Sequence, residues 1–168
     1  MEARKRSKVN PPPFQFSLRI RHPSMDPAEL SREFKIEAEH SFRAGDPRPA
    51  RSGIATASVR AYSYWLGALN PAEWPPDISS PGQRRLQIAQ EHLGAAVTQS
   101  FDWALALSAT WLFCAHAELL RRIRAEGGEI SLLVALSIGE VSSFSLAPGV
   151  SRIFGEFGVT IEFEFAGD

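Results

Sequence analysis

The sequence predicts an α+β domain in which a mainly antiparallel sheet carries its helices packed on one face. Three observations predict it. Several segments alternate apolar and polar residues with a period of two, the spacing of a half-buried strand. Others repeat apolar residues at helical spacing behind recognisable caps. Clusters of Pro, Gly and Asp separate them without dividing the chain into independently foldable parts.

The first strand is the clearest. Phe14, Phe16, Leu18 and Ile20 face one way, and Gln15, Ser17, Arg19 and Arg21 the other. A last strand sets Val159, Ile161, Phe163 and Phe165 against Thr160, Glu162 and Glu164. Between them, Ile130, Leu132, Val134, Leu136 and Ile138 alternate with smaller residues, and Tyr62-Ser63-Tyr64-Trp65 is expected on a middle strand. If the first and last strands are neighbours, Arg19 and Arg21 lie beside Glu162 and Glu164.

Ser24 or Asp26 suits the cap of a helix that starts with Pro27 and runs through Leu30 to about Phe34. A weaker helical pattern covers about 84–97. A long helix is expected from Phe101 to Glu126, with Arg121, Arg122 and Arg124 near its negative end and Gly127-Gly128 as its stop. A last helix spans about 148–157. The stretches 44–53 and 70–82 read as loops.

Length and composition narrow the class. The 168 residues, 44% of them hydrophobic, suffice for one domain with its own core. Residues 1–13, with Arg4, Lys5, Arg6, Lys8 and three prolines, are expected to be a disordered tail, and residues 14–168 a single α+β domain. The net charge of −1 lacks the basic surplus of a nucleic-acid binder. No run is long and apolar enough for a membrane span, and no secretory pattern opens the chain, so a cytoplasmic protein is expected. The single Cys114 lies in an apolar run and is expected to be buried.

The chain also echoes itself. Glu33-Phe34-Lys35-Ile36-Glu37-Ala38-Glu39 resembles Glu156-Phe157-Gly158-Val159-Thr160-Ile161-Glu162, and each follows a strand and a proline-initiated helix. A duplicated strand–helix–strand unit, over 14–42 and 130–165, is expected to form a ferredoxin-like plait.

These residues resemble a bacterial family, domain of unknown function 4279. The resemblance runs from Phe14 to Phe165. It rests on Asp26-Pro27, the Phe42-Arg43-Ala44-Gly45-Asp46-Pro47-Arg48 segment, Tyr64-Trp65 and the closing Phe157-Gly158-Val159. The piece around 70–90 departs from it and reads as an insertion loop. The resemblance carries no catalytic residues. It implies a small bacterial protein of the kind found near toxin systems, so an immunity-type inhibitor is one expectation.

The chemistry-bearing residues support no catalytic site. His22, His40, His92 and His116 show no metal-ligand spacing, and no phosphate-cradling or nucleophile-elbow motif is present. No cofactor, metal or catalytic residue is expected. Glu37, Glu39, Glu162 and Glu164 read as solvated sheet positions. The candidate binding residues are Arg43, Asp46 and Arg48 of the 42–51 loop with nearby Tyr62, Tyr64 and Trp65, because arginine mixed with aromatics is the composition of interface hot spots, and Trp111 on the apolar long helix. Asp46-Pro47 is equally well explained as a turn that one arginine steadies. The long helix is apolar nearly all round, and either 84–97 or a partner is expected to cover the surplus. The reading that follows is a non-catalytic protein-interaction module whose partner is a toxin or a second copy, with no nucleic acid or membrane. An anion-binding sensor around Arg43 and Arg48 is one alternative. The other is an enzyme of unrecognised type that brings His40, Asp46 and Arg48 together.

Overall fold

A computed structural model describes residues 14–48, 58–69, 101–137, 146 and 148–166, with the side chains of 102, 103, 107, 110 and 166 left aside. The expected tail, most of the loops, the helix over 84–97 and the insertion at 70–90 lie outside the described residues. The elements are β1 (Phe14–His22), α1 (Pro27–Phe34), β2 (His40–Phe42), β3 (Ser63–Leu69), α2 (Phe101–Thr110), a π-helical turn (Trp111–Ala115), α3 (Ala117–Ala125), β4 (Glu129–Ser137), α4 (Pro148–Glu156) and β5 (Val159–Ala166).

The strands form one five-stranded mixed sheet in the order β2-β3-β1-β4-β5. β1 pairs antiparallel with β3 and β4, and β2 pairs antiparallel with β3. β4 and β5 run parallel. The α+β class and the mainly antiparallel sheet are therefore observed. The two units of the expected plait are not equivalent, however. β3 separates β1 from β2, whereas β4 and β5 are neighbours. β1 and β5 are not neighbours either: β4 lies between them. Arg19 spans that gap, donating to Ser131 Oγ on β4 (3.3 Å) and to Glu162 on β5. Arg21 turns to Glu129, its register partner on β4, at 3.9 Å.

One sheet face is apolar. Phe14, Phe16, Leu18 and Ile20 are buried with Trp65, Ile130, Leu132, Val134 and Leu136, and the described helices pack there. Asp26 makes the α1 cap, accepting the Ala28 N–H at 3.0 Å, with Pro27 at the first helical position. Lys35 ends α1 in the left-handed region, φ 56°. Gly158, its counterpart in the sequence echo, sits after α4 at φ 63°. At the matched positions of the echo both segments turn through a left-handed residue, Lys35 directly after α1 and Gly158 two residues beyond α4. Only the second supplies glycine, which has no Cβ to clash there.

The expected long helix is broken. α2 passes into one π-helical turn, and α3 restarts after His116. The buried positions Leu105, Ala109, Leu112, Leu119 and Ile123 still keep helical spacing, and His116 falls in the same series. Part of the apolar surplus is covered by α4 of the same chain. The Phe113 ring stacks on Phe157 at 4.5 Å and meets Phe154 edge-on at 5.0 Å. Cys114 is exposed, contrary to expectation: in the π-helical turn it is Trp111 and Leu112 that are buried. Among the described residues no helix is long and apolar enough to cross a membrane.

Candidate functional site

The residues predicted to form a site separate into three environments. Trp65 and Trp111 belong to the core. Trp65 is fully buried, stacks on Phe34 at 5.4 Å and donates its indole N–H to Ser31 Oγ at 2.9 Å. Trp111 is 5% exposed and packs near Phe34 and His116. Alternation explains Trp65: it faces the helices while its neighbour Tyr64 faces the opposite side of the sheet. Neither tryptophan presents a docking surface.

Arg43, Asp46 and Arg48 belong to a built turn. Asp46 Oδ2 accepts the Arg43 N–H at 2.7 Å, and the Asp46 N–H donates to the Arg43 carbonyl at 3.2 Å. Gly45 sits between them at φ 87°, a conformation that favours glycine. The returning chain pairs with this turn: Gly45 N–H to Arg60 O, Arg60 N–H to Asp46 O and Arg48 N–H to Ser58 O. Asp46 steadies the turn through the Arg43 backbone, not through a guanidinium.

The Arg43 guanidinium reaches the α1 cap instead, donating to both oxygens of Asp26 at 3.1 and 2.7 Å. The Ala28 N–H and Arg43 together hold the Asp26 carboxyl below its usual pKa, against the smaller cost of burial. These contacts frame an open groove of about 600 Å³ between α1 and β2, lined by residues that include Ser31, Glu37, Ser41 and Phe42. Its ionisable lining is Asp26, Glu37, Asp46 and Arg43. With Arg43 neutralised by Asp26, the groove does not have the cationic character that an anion site requires.

The third environment is the sheet face free of described helices, where Tyr64 lies. The register places Phe42 opposite Tyr64 and Tyr64 opposite Arg21. The Phe42 and Tyr64 rings stack at 5.2 Å and 11°. His40 meets both edge-on, and Tyr62 tilts against Phe42 at 5.8 Å. The Arg60 guanidinium lies 4.0 Å from the Phe42 centroid, and Arg21 lies 5.6 Å from that of Tyr62. His40 is exposed, while Phe42, Tyr62 and Tyr64 are half-buried. Partial burial raises the Tyr64 pKa, against the pull of Arg19 and Arg21.

This corner combines rigid aromatic surface with guanidinium groups on a sheet, which is the chemistry of a docking anchor. His40 lies in the aromatic cluster, whereas Asp46 is committed to its turn. Sequence reasoning set Tyr62 and Tyr64 beside the loop that opens with Phe42, and missed Arg60 and Arg21 as their companions. The alternation of β1 with Tyr62-Ser63-Tyr64 carried part of that signal, and the cross-strand register carried the rest. Among the described residues no group of three or more His, Cys, Asp or Glu side chains is placed to hold a metal ion. No family model, curated protein or solved structure matches this chain.

Proposed function

We propose that the protein is a non-catalytic interaction module that docks a partner protein through this sheet face, in its sharpest form an immunity-type inhibitor of a bacterial toxin. The observation that carries this reading is the Phe42–Tyr62–Tyr64 cluster with Arg21 and Arg60 on a face that no described helix covers. Inhibition would be by occlusion. The sheet keeps the anchors rigid, so little conformational freedom is lost on docking. The module is placed in the cytoplasm, without a cofactor.

We also assign the chain to the bacterial family that it resembles, as a variant of the plait. The matched left-handed residues Lys35 and Gly158 support the duplicated unit behind that assignment. The test is direct binding to the product of the adjacent gene, followed by light scattering and calorimetry. A 1:1 complex weakened about tenfold or more by Tyr64→Ala supports the proposal. Absence of a complex, or a complex indifferent to Tyr64→Ala and Arg60→Ala, refutes it.

A further inference from the structure

The sheet face free of described helices carries more than an aromatic corner. Arg19 on β1 is already paired with Glu162 on β5, and Arg21 with Glu129 on β4. The two other charges lie at opposite sides of the sheet: Arg60, over Phe42 beyond β2, and Glu164 on β5. Between them the face is short or apolar: Ser17 on β1, Leu66 and Ala68 on β3, Ser131, Leu133 and Ala135 on β4.

The pattern is diagonal. Phe42, Tyr64, Arg21 and Glu129 form one cross-strand row. Ala68, Ser17, Leu133 and Glu162 form another, and Gln15, Ala135 and Glu164 a third. The Arg60–aromatic corner and the Glu164 corner are therefore at opposite ends of one diagonal. Such a face is complementary to itself. A two-fold axis along the other diagonal superposes each corner on its opposite in a second copy. It also brings Leu133 over Leu66 of that copy.

That axis lies at about 45° to the strands, so the strands of the two sheets cross at close to 90°, one of the two ways in which sheets pack face to face. Four strands of seven to nine residues and the three-residue β2, about 4.8 Å apart, make a face of about 570 Å². Two such faces bury about 1,100 Å², just above the roughly 1,000 Å² that a specific interface should clear.

We infer that this face binds a second copy of the chain, in a two-fold dimer with orthogonally packed sheets. The inference rests on the proposed docking role of the same face: a foreign partner then has to displace the second copy. Closed two-fold pairing uses one patch twice, which opposite charges at opposite corners, Arg60 and Glu164, favour.

The test is sedimentation equilibrium of the full chain from about 1 μM to about 500 μM, the range that resolves micromolar association. A monomer–dimer equilibrium is expected. Glu164→Arg sets like charges across both corners and is expected to weaken the dimer more than tenfold. Adding Arg60→Glu to Glu164→Arg reverses both pairs and is expected to restore most of the affinity, which a misfolded variant cannot do. A monomer throughout, or a dimer indifferent to Glu164→Arg, overturns the inference. Tyrosine footprinting of the monomer separates it from the broader reading. Reactive Tyr62 and Tyr64 in a monomer leave the docking face standing without the dimer; protected tyrosines in a monomer remove both.

Discussion

His116 is a histidine at a position that helical spacing reserves for an apolar side chain. It follows Leu105, Ala109 and Leu112 and precedes Leu119 and Ile123 in the buried series. Its ring sits 4.5 Å from Trp111 and 4.9 Å from Phe34. Burial, aided by the charge of Lys35, lowers its pKa from the ordinary 6.5 to about 4. The folded protein therefore holds a neutral imidazole where the unfolded chain binds a proton. Between these two values the unfolded state carries more protons, so stability rises with pH. The contribution is fully present above pH 6.5 and is lost as pH falls from 6.5 towards 4.

The full shift corresponds to about 3.4 kcal/mol at 1.36 kcal/mol per unit. His116 retains substantial exposure, and solvent screening reduces this to about 1–2 kcal/mol. Urea unfolding at pH 4.5, 5.5, 6.5 and 7.5, for the natural chain and His116→Leu, isolates the effect as a difference of slopes. His116→Leu is expected to flatten the dependence and to gain relative to the natural chain at the acid end. An imidazole NMR titration gives the pKa directly. A midpoint near 6.5, or equal pH slopes for the two proteins, would refute the reasoning.

Three further outcomes are expected. Lys35→Gly relieves a left-handed residue bearing a Cβ and should stabilise the fold by about 0.5–1 kcal/mol in urea, after the flexibility cost of glycine; a loss of stability would contradict that account. Trp65→Phe removes the indole donor to Ser31 and part of the core volume, at a cost of about 1–3 kcal/mol, whereas Trp65→Ala should cost about 3–5 kcal/mol; a change under about 0.5 kcal/mol for either would deny Trp65 its core role. Asp26→Ala should lower the thermal midpoint more than Asp26→Asn, because Asn keeps the cap and loses only the charge facing Arg43. The lowered Asp26 pKa also means that its stabilisation is present above pH 3.8 and is lost as pH falls through the folded value, so natural and Asp26→Asn curves should converge in strong acid.

Much of the architecture was legible in the residue order because it is local. The period of two in β1, β4 and β5 separates their faces whatever they pair with. Asp26-Pro27 is sufficient to start α1, and Gly127-Gly128 to end α3. The echo of 33–39 in 156–162 marked two chain segments that each follow a proline-initiated helix. These features depend on backbone sterics and near-neighbour hydrogen bonds, which act over a few residues.

Only the tertiary structure decided what lies beside what. Alternation assigns faces but contains no strand order, so it did not reveal that β4 separates β1 from β5 or that Arg19 bridges across it. Composition grouped Trp65 and Trp111 with Tyr64, yet the sheet buries the first, the helical spine buries the second and the open face displays the third. Arg43 carried no sign in the residue order of the carboxylate that holds it: the fold brings Asp26, 17 positions earlier, against its guanidinium. The self-complementary diagonal exists only once five strands are in register. Short-range periodicity determines each element. Pairing across long loops, whose closure costs entropy that no single segment reveals, determines the surface they make together.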